Sequence, residues 1–326
     1  MRRLSILAIP ALGLAALLGL ARADAVAEDF PTRPLRLVVP YAPGGVLDYS
    51  GRLIAKGLGD VLGQQVVVDN KPGAGGVIGT ETVVHAAPDG YTLLLMDPAI
   101  AVNPSLMKSV PYDVLKDLTT IGTVGSSPLA LVVPAASPVH DLAGLIAAAK
   151  AAPHPLTFGS AGIGTTPHMA GELLRVSAGL PLTHVAYKGM GPAVTDLIAG
   201  QLDMSFGSVT AVLPFIQDGK LRGLATTGPR RSSALPDLPT VAEAGLPGFE
   251  VDLWLALFGP AGLPAPVLER LSRALNQALA APSLAEAWAK VGVEPRPSSP
   301  AAGRAFVSAE LDKWAGVVRD AHLQPN

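Results

Sequence analysis

Short apolar runs alternate with segments of helical spacing along the first hundred residues. The run Leu35–Val39 is apolar, rich in β-branched residues and bounded by prolines, which predicts a buried strand. Apolar residues then recur at helical spacing over 47–62, and Val66–Val68 predicts the next strand. A helix is predicted over 76–87 and a third strand over 91–96. This order predicts parallel strands joined by right-handed crossovers.

The same alternation continues through the middle of the chain. Two separate strands are predicted at 121–124 and 129–133, and the C-terminal part is predicted to be helical. Between about 134 and 251 the pattern contains a complete α/β unit, and a strand is predicted directly after it at 253–258. The chain is therefore predicted to cross into a second unit and to return.

The N-terminus has the layout of a secretory signal peptide. A basic start precedes an apolar run over 4–20, and small residues then stand at alternate positions up to Ala27. An uncleaved anchor is the alternative, but the run is shorter than the ~20 residues that a bilayer span needs. We expect cleavage after Ala25, with Ala23 and Ala27 as the other sites, and a signal peptide over 1–25.

Composition narrows the function classes. The 326-residue chain fits about two domains, and its net charge of −2 lacks the basic excess that nucleic acid binding requires. It contains no cysteine, which excludes disulfides, thiol catalysis and lipid attachment to an N-terminal cysteine. Together with the signal peptide, these features predict a free periplasmic protein that does not bind nucleic acid.

Two loops have the sequence expected of anion sites. Tyr41–Asp48 leads from a predicted strand into a helix through Pro-Gly-Gly, and backbone N–H groups at such a turn favour an anion. The loop 159–168 repeats the arrangement, with Thr166 suited to an N-cap and Pro167 to the first helical position. Each loop has a structural alternative, as a tight turn or as a helix start. One loop in each α/β unit would place a ligand between the units.

Other motifs are weak. The glycines after Val66–Val68 imitate a dinucleotide fold but follow the second strand rather than the first. The segment around Ser160 lacks the spacing of a nucleophile elbow, and the six histidines form no metal-binding pattern. We therefore expect no catalytic residue, no metal and no cofactor.

The chain resembles the Bug-type extracytoplasmic solute receptors of tripartite tricarboxylate transporters over about residues 30–320. The stretches FPTRPLRLVVPYAPGGVLD, VVVDNKPGAGGVIGTE and FGSAGIGTTPHMAGELL carry the resemblance, with 187–206 and 235–250. It implies an α/β bilobal periplasmic-binding fold, type II-like, with two crossing hinge strands and a ligand cleft. It also implies a small organic acid ligand, capture without catalysis and membrane transporter subunits as partners. We expect a monomer with lobe 1 over 28–130 and 254–326, and lobe 2 over 131–253.

The resemblance also supplies candidate ligand-binding residues, and this chain departs from the family pattern at two of them. Asp97 stands where the family has small or hydroxyl residues, and Ser208 follows a strand after which the family often has aspartate. Asp97 would repel a carboxylate but accept a hydrogen bond from a hydroxyl or ammonium, unless it only braces a turn. A secreted hydrolase using Ser160 and a sensory partner of a membrane kinase are the alternative functions. The remaining candidates are Tyr41, Ala42, Gly44, Gly45, Asp48, Ser160, Ala161, Gly164, Thr165, His168, Tyr187 and Lys188.

Overall fold

A computed structural model describes residues 30–44, 46–290 and 292–324. The predicted signal peptide and Gly45 lie outside the described residues. The first α/β unit has the predicted parallel arrangement, because β1 pairs in parallel with both β2 and β3. Its elements are β1 (Leu35–Val39), α1 (Val46–Leu62), β2 (Val66–Asn70), α2 (Val77–Val84) and β3 (Thr92–Met96).

A helical segment that the sequence pattern did not predict follows. Its elements are α3 (Ala99–Leu106) and the short α4 (Val114–Asp117). Pro104 lies inside α3, and the hydrophobic residues of this helix are spread around it rather than along one stripe. Its buried residues contact the core on several sides, so its sequence lacks the amphipathic spacing that indicates a surface helix.

The strands predicted at 121–124 and 129–133 are one strand, so the prediction of two was wrong. β4 (Leu118–Pro134) continues through the Gly-Ser-Ser-Pro segment, which pairs antiparallel with β9 (Asp252–Pro260). The register shifts twice along this pairing, between Thr120 and Gly122 and between Thr123 and Gly125. Such irregularities let a long strand bend and twist, which explains how residues typical of a turn remain within the strand.

The second α/β unit lies between β4 and β9, as the sequence predicted. Its strands β5, β6 and β7 run parallel, while β4 pairs antiparallel with β7 and with β8. Its elements are α5 (Leu142–Ala151), β5 (Leu156–Ser160), α6 (Thr166–Ala178), β6 (Leu182–Ala186), α7 (Met190–Ile198), β7 (Met204–Ser208), α8 (Val209–Gln217) and β8 (Leu221–Thr226).

The C-terminal segment returns to the first sheet. It contains α9 (Ala265–Leu279), α10 (Pro282–Ala289), the two-residue β10 (Glu294–Pro295) and α11 (Pro300–Asp320). α11 packs on β4, on α3 and on α6, so it contacts both α/β units. The indole nitrogens of Trp254 and Trp314 both donate to Oε2 of the buried Glu310, which fixes α11 against β9.

β4 belongs to two sheets. Its first part pairs with β9 and β10, in the sheet that also holds β1, β2 and β3, and its last part pairs with β7 and β8. The architecture is therefore bilobal and α/β, in agreement with the fold that the sequence predicted. None of the described helices combines the length and apolar character needed to cross a bilayer.

Candidate functional site

A cavity of about 410 Å³ lies between the two sheets. It is bordered by loops that follow β1, β2, β3 and β5, the carboxyl ends of parallel strands at which α/β proteins bind ligands. The first sheet contributes Tyr41, Ala74, Gly75, Asp97, Ala99, Asn103, Leu106 and Met107, the second contributes Ile163, Gly164, Thr165, Thr166 and Pro167, and Leu253 lies at the crossing between them.

Asp97 faces this cavity. Its Oδ1 accepts hydrogen bonds from the Tyr41 hydroxyl and from the backbone N–H of Ala99, both at 3.0 Å. It thus braces the turn before α3 and borders the cavity at once. Burial raises the pKa of the Asp97 carboxyl, and these hydrogen bonds only partly oppose that rise. Its Oδ2 accepts no hydrogen bond from any residue that the structure describes.

Asp97 also determines the charge of the cavity. Of the described residues that line the cavity, Asp97 is the only one with an acidic or basic side chain of the Asp, Glu, Lys, Arg or His type. No lysine or arginine is therefore positioned there to neutralise a ligand carboxylate. Burial raises the pKa of the Tyr41 hydroxyl far above its ordinary value, and the neighbouring Asp97 adds to this effect. Tyr41 therefore remains a neutral donor.

The glycine-rich turn after β2 contributes to the cavity wall. The resemblance of this turn to a dinucleotide motif concealed its place at the site, although it follows a parallel strand of the same sheet. Gly76 has φ of +94°, and a Cβ there would lie 2.5 Å from Cε of Met96. Glycine therefore allows the turn to approach β3 closely. Asn103 Nδ2 holds the turn by donating to the Gly75 carbonyl at 2.9 Å.

Of the described residues of the opening loop, only Tyr41 lines the cavity. Asp48 is buried behind the loop, where its Oδ2 accepts from Gly44 N and from Arg52 Nε, at 3.0 and 3.1 Å. Its Oδ1 accepts from Asn70 Nδ2 at 3.0 Å. The backbone N–H of Gly44 and the hydrogen bonds of Arg52 and Asn70 hold the pKa of Asp48 below its ordinary value despite burial. Asp48 thus braces the loop, and Ala42 and Gly44 do not line the cavity.

The loop after β5 supplies the opposite wall. The Thr165 hydroxyl donates to the Gly162 carbonyl at 2.7 Å and does not cap α6. The first-turn N–H groups of α6 therefore have no side-chain cap, and an uncapped helix start favours an anion. Gly164 faces Leu106 of α3, and the Ile163 side chain is 55% exposed at the cavity edge.

His168 and Ser160 lie beneath this loop rather than in the cavity. Nδ1 of His168 accepts a hydrogen bond from Gly164 N at 3.1 Å, and Ser160 Oγ contacts Nε2 of His184 at 2.6 Å. The two imidazoles are in close contact, with centroids 4.0 Å apart and ring planes tilted by 35°. Burial lowers the pKa of His168 to about 3, with a contribution from His184, and lowers that of His184 to about 4.

These positions bear on the hydrolase alternative. Ser160 has a histidine partner that the sequence reasoning did not assign, because His184 lies on a neighbouring strand. Ser160 is however fully buried, and depressed basicity makes His184 a poor general base. The contact holds the loop, and the comparisons below give the hydrolase no support.

The remaining candidates lie away from the cavity lining. The Ala161 carbonyl accepts from Gly189 N at 3.2 Å, and the Tyr187 hydroxyl donates to Asp196 at 2.7 Å. Lys188 is exposed, and the Ser208 hydroxyl caps α8 by accepting from Ala211 N at 3.3 Å. Direct contact of these residues with a ligand stays a prediction.

Sequence comparison shows relatives over most of the chain. The profile of the tripartite tricarboxylate transporter family receptor matches residues 51–323. Protein BugT of Bordetella pertussis is 41% identical over 296 residues, which cover 90% of this chain and 91% of BugT.

Solved structures show the same similarity. A Rhodopseudomonas palustris protein solved with adipate has a TM-score of 0.77 and 34% identity, and the alignment covers 91% of this chain and 100% of that one. MatC of the same organism, solved with bound malate, has a TM-score of 0.73 and 32% identity, with coverage of 89% and 100%.

Proposed function

This chain belongs to the tripartite tricarboxylate transporter receptor family, and we propose that it captures one small carboxylate-bearing metabolite in the cavity between its sheets. It is a periplasmic solute-binding receptor. The observation that carries the proposal is a cavity bordered by strand ends and loops of both sheets, with a helix start on one side and Asp97 on the other.

We propose that the ligand carboxylate lies at the loop between β5 and α6. Uncapped N–H groups at the start of α6 and the dipole of that helix stabilise negative charge without a cationic side chain. Thr166 borders the same part of the cavity, and its hydroxyl can supply a further donor, whereas the Thr165 hydroxyl already donates to the Gly162 carbonyl. This mode of binding agrees with the absence of lysine and arginine among the described lining residues.

We propose that the other end of the ligand lies at Asp97. A second carboxylate there would lie against the Asp97 carboxylate and repel it, whereas a hydroxyl or ammonium could donate to the unused Oδ2. An ammonium would also stabilise the ionised form of Asp97, which burial disfavours. We therefore propose a ligand with a carboxylate at one end and a hydrogen-bond donor at the other. The relatives solved with adipate and malate support the carboxylate end.

Binding is proposed to draw the lobes together. The lobe boundaries predicted from sequence, 28–130 with 254–326 and 131–253, place β4 and the start of β9 at the crossing. A ligand that contacts both lobes favours the closed arrangement, since some of its contacts form only there. The closed monomer would deliver the ligand to membrane subunits of the transporter, and no bond would be broken.

Matched ligands test the proposal. Adipate and 6-aminohexanoate have similar length, but the second replaces one carboxylate by an ammonium. Isothermal titration calorimetry should give 6-aminohexanoate at least about tenfold tighter binding, which corresponds to about 1.4 kcal/mol. Asp97→Asn should abolish or reverse that preference, because the asparagine amide carries no charge and can donate to a carboxylate.

Asp89→Asn is the matched control, because Asp89 lies in an exposed ion pair with Arg33 away from the cavity. It should bind both ligands as the wild type does. Mass spectrometry of the mixture should recover each ligand unchanged. Turnover of either compound, or failure of a wider panel of carboxylic acids to bind, would contradict the receptor proposal. If the wild type and Asp97→Asn prefer 6-aminohexanoate over adipate to the same degree, only the proposed role of Asp97 is contradicted.

A further inference from the structure

A series of contacts joins the loop between β5 and α6, residues 161–165, to the end of α11. This loop is called the cavity loop below. Arg175 Nη2 donates to the Ala321 carbonyl, which follows α11, at 2.5 Å, and Arg175 Nε donates to Glu172 Oε2 at 2.7 Å. Glu172 Oε1 lies 3.8 Å from Nε2 of His168, and Nδ1 of His168 accepts from Gly164 N at 3.1 Å. Gly164 lines the cavity, whereas His168, Glu172 and Arg175 do not.

The protonation state of His168 determines whether it can accept the hydrogen bond from Gly164 N. Because Nδ1 accepts from Gly164 N, the proton of the neutral ring must sit on Nε2, where it faces Glu172. If Nδ1 also took up a proton, it could no longer accept a hydrogen bond from Gly164 N, and the two N–H groups would repel each other. The loop therefore keeps its shape only while His168 is neutral.

Glu172 carries the negative charge that lies closest to Nε2 of His168 among the described contacts. Its carboxylate is 4% exposed, and a buried carboxylate beside an imidazole favours the imidazolium form unless another cation neutralises it. Arg175 is the cation in direct contact with Glu172, and its guanidinium is fixed from the other side by the Ala321 carbonyl. Arg175 thus removes the electrostatic reason for His168 to take up a proton.

We propose that Arg175 is a positioning residue for ligand binding, which pairs with Glu172 so that His168 stays neutral and holds the Gly164 N–H of the cavity loop. This inference rests on the proposed function. It adds two residues, Glu172 and Arg175, that touch no ligand but set the shape of the loop that would.

The other groups that face His168 act in the same direction as Arg175. His184 on β6 contacts the ring in a tilted arrangement at a centroid distance of 4.0 Å, and its own Nε2 contacts Ser160 of β5. Phe158 of β5 lies on the same side, with a centroid distance of 6.4 Å. Burial and the neighbouring His184 lower the pKa of His168. The Glu172 carboxylate, at 3.8 Å from Nε2, is the described neighbour whose charge would favour an imidazolium if Arg175 did not neutralise it.

The test follows the protonation of His168 by imidazole ¹⁵N NMR in the ligand-free protein between pH 8 and pH 5. In the wild type we expect His168 to stay neutral throughout. In Arg175→Gln it should take up a proton within this range, and the double variant Arg175→Gln/Glu172→Gln should be neutral again. Arg319→Gln is the control, because Arg319 lies near the same helix end in an exposed pair with Asp320.

Ligand affinity gives the second readout. The ratio of the 6-aminohexanoate Kd of Arg175→Gln to that of the wild type should rise at least tenfold from pH 8 to pH 6. If Arg175→Gln does not fold, Arg175→Met replaces it, since methionine keeps an unbranched apolar side chain but carries no charge to neutralise Glu172. An unchanged His168 pKa in whichever variant folds overturns the proposal. If the wild type binds no carboxylate, the receptor proposal fails, and the imidazole measurement still decides this one.

Discussion

The Tyr41 hydroxyl donates to Oδ1 of Asp97 across 3.0 Å, and both side chains border the cavity. The two residues follow adjacent parallel strands, β1 and β3, whose carboxyl ends meet at one edge of the sheet. This contact uses one carboxylate oxygen and leaves the other for a ligand. The protonation of Asp97 therefore decides whether the cavity presents an acceptor or a donor.

Tyr41→Phe should shift the pH dependence of ligand binding. The Tyr41 hydrogen bond opposes the rise in the Asp97 pKa, so losing it should raise that pKa further. A ligand ammonium needs the ionised carboxylate, so affinity should fall as pH drops through the Asp97 pKa. In Tyr41→Phe this loss should occur at higher pH than in the wild type. Calorimetric titration of 6-aminohexanoate from pH 8 to pH 4 measures it.

Tyr91→Phe is the control for the loss of a tyrosine hydroxyl. The Tyr91 hydroxyl accepts from Thr32 N at 2.9 Å, on a part of the first sheet that does not line the cavity. Its binding curve should match that of the wild type. Binding that strengthens as pH falls, with adipate preferred, would mean that Asp97 acts as a protonated donor, contrary to the proposal.

The sequence predicted much of the fold because the first unit consists of short buried strands with distinct apolar runs. β1 lies over the predicted residues, and α5 does too. The prediction failed at Gly125–Pro128, where composition typical of a turn lies inside β4. Pairing with β9 and register shifts, both long-range effects, keep that segment extended. No local pattern carries that information.

The site was predicted less completely than the fold. Tyr41, Asp97, Gly164 and Thr165 were candidates, and they lie together at the cavity. Asn103 was missed, because it lies on a helix with no amphipathic pattern. Asp48 was chosen as a potential ligand contact, but its oxygens are used by Arg52, Asn70 and Gly44. Sequence can place a polar residue in a loop without showing which side of the loop it faces.

Gly164→Ala should weaken binding more than it affects stability. Gly164 has φ of +79°, and an added Cβ would lie 3.0 Å from Cδ2 of Leu106 across the cavity. An alanine in this left-handed region should cost about 1 kcal/mol of unfolding free energy. Gly219→Ala is matched, because Gly219 has φ of +67° and a Cβ there meets nothing within 4 Å.

Urea unfolding should therefore show similar losses for these two alanine variants. Calorimetry should show a higher Kd in Gly164→Ala alone, because the added methyl group separates the loop from α3. Equal affinity in both variants would mean that the Gly164–Leu106 approach does not matter for binding.

Glu310→Ala should destabilise the protein strongly. The Glu310 Oε2 accepts from the indole N–H groups of Trp254 and Trp314, at 2.8 and 3.0 Å, and all three residues are buried. Removing the carboxylate leaves two buried donors unpaired, at about 1–3 kcal/mol each. We expect a loss of about 3 kcal/mol in urea unfolding, and a smaller loss in Glu310→Gln, which retains an acceptor. Glu269→Ala, in an exposed pair with Arg273, should change stability little, and a similar small loss in Glu310→Ala would refute the account.

Asp252 is a buried acid close to the point where β4 passes from one sheet to the other. It opens β9 opposite Pro128 of β4 and is 5% exposed. Its Oδ2 lies 3.6 Å from Arg296 Nη1, beyond hydrogen-bond distance, and its Oδ1 has no partner among the described residues. Burial, followed by the charge of Glu250, raises the pKa of Asp252 to about 6, against the opposing effect of Arg296.

A raised pKa means that the folded protein holds this proton more tightly than the unfolded chain, whose ordinary value is 3.8. The contribution of Asp252 to stability is therefore most favourable below pH 4 and is lost as pH rises through about 6. Two pH units correspond to about 3 kcal/mol. Asp252→Asn imitates the protonated form, so it should match the wild type near pH 4 and be more stable by up to about 3 kcal/mol at pH 7. Urea unfolding at pH 4, 5, 6 and 7 measures the difference, with the exposed Asp60→Asn as control. A difference that does not grow with pH would show that Asp252 is ionised in the folded protein without cost.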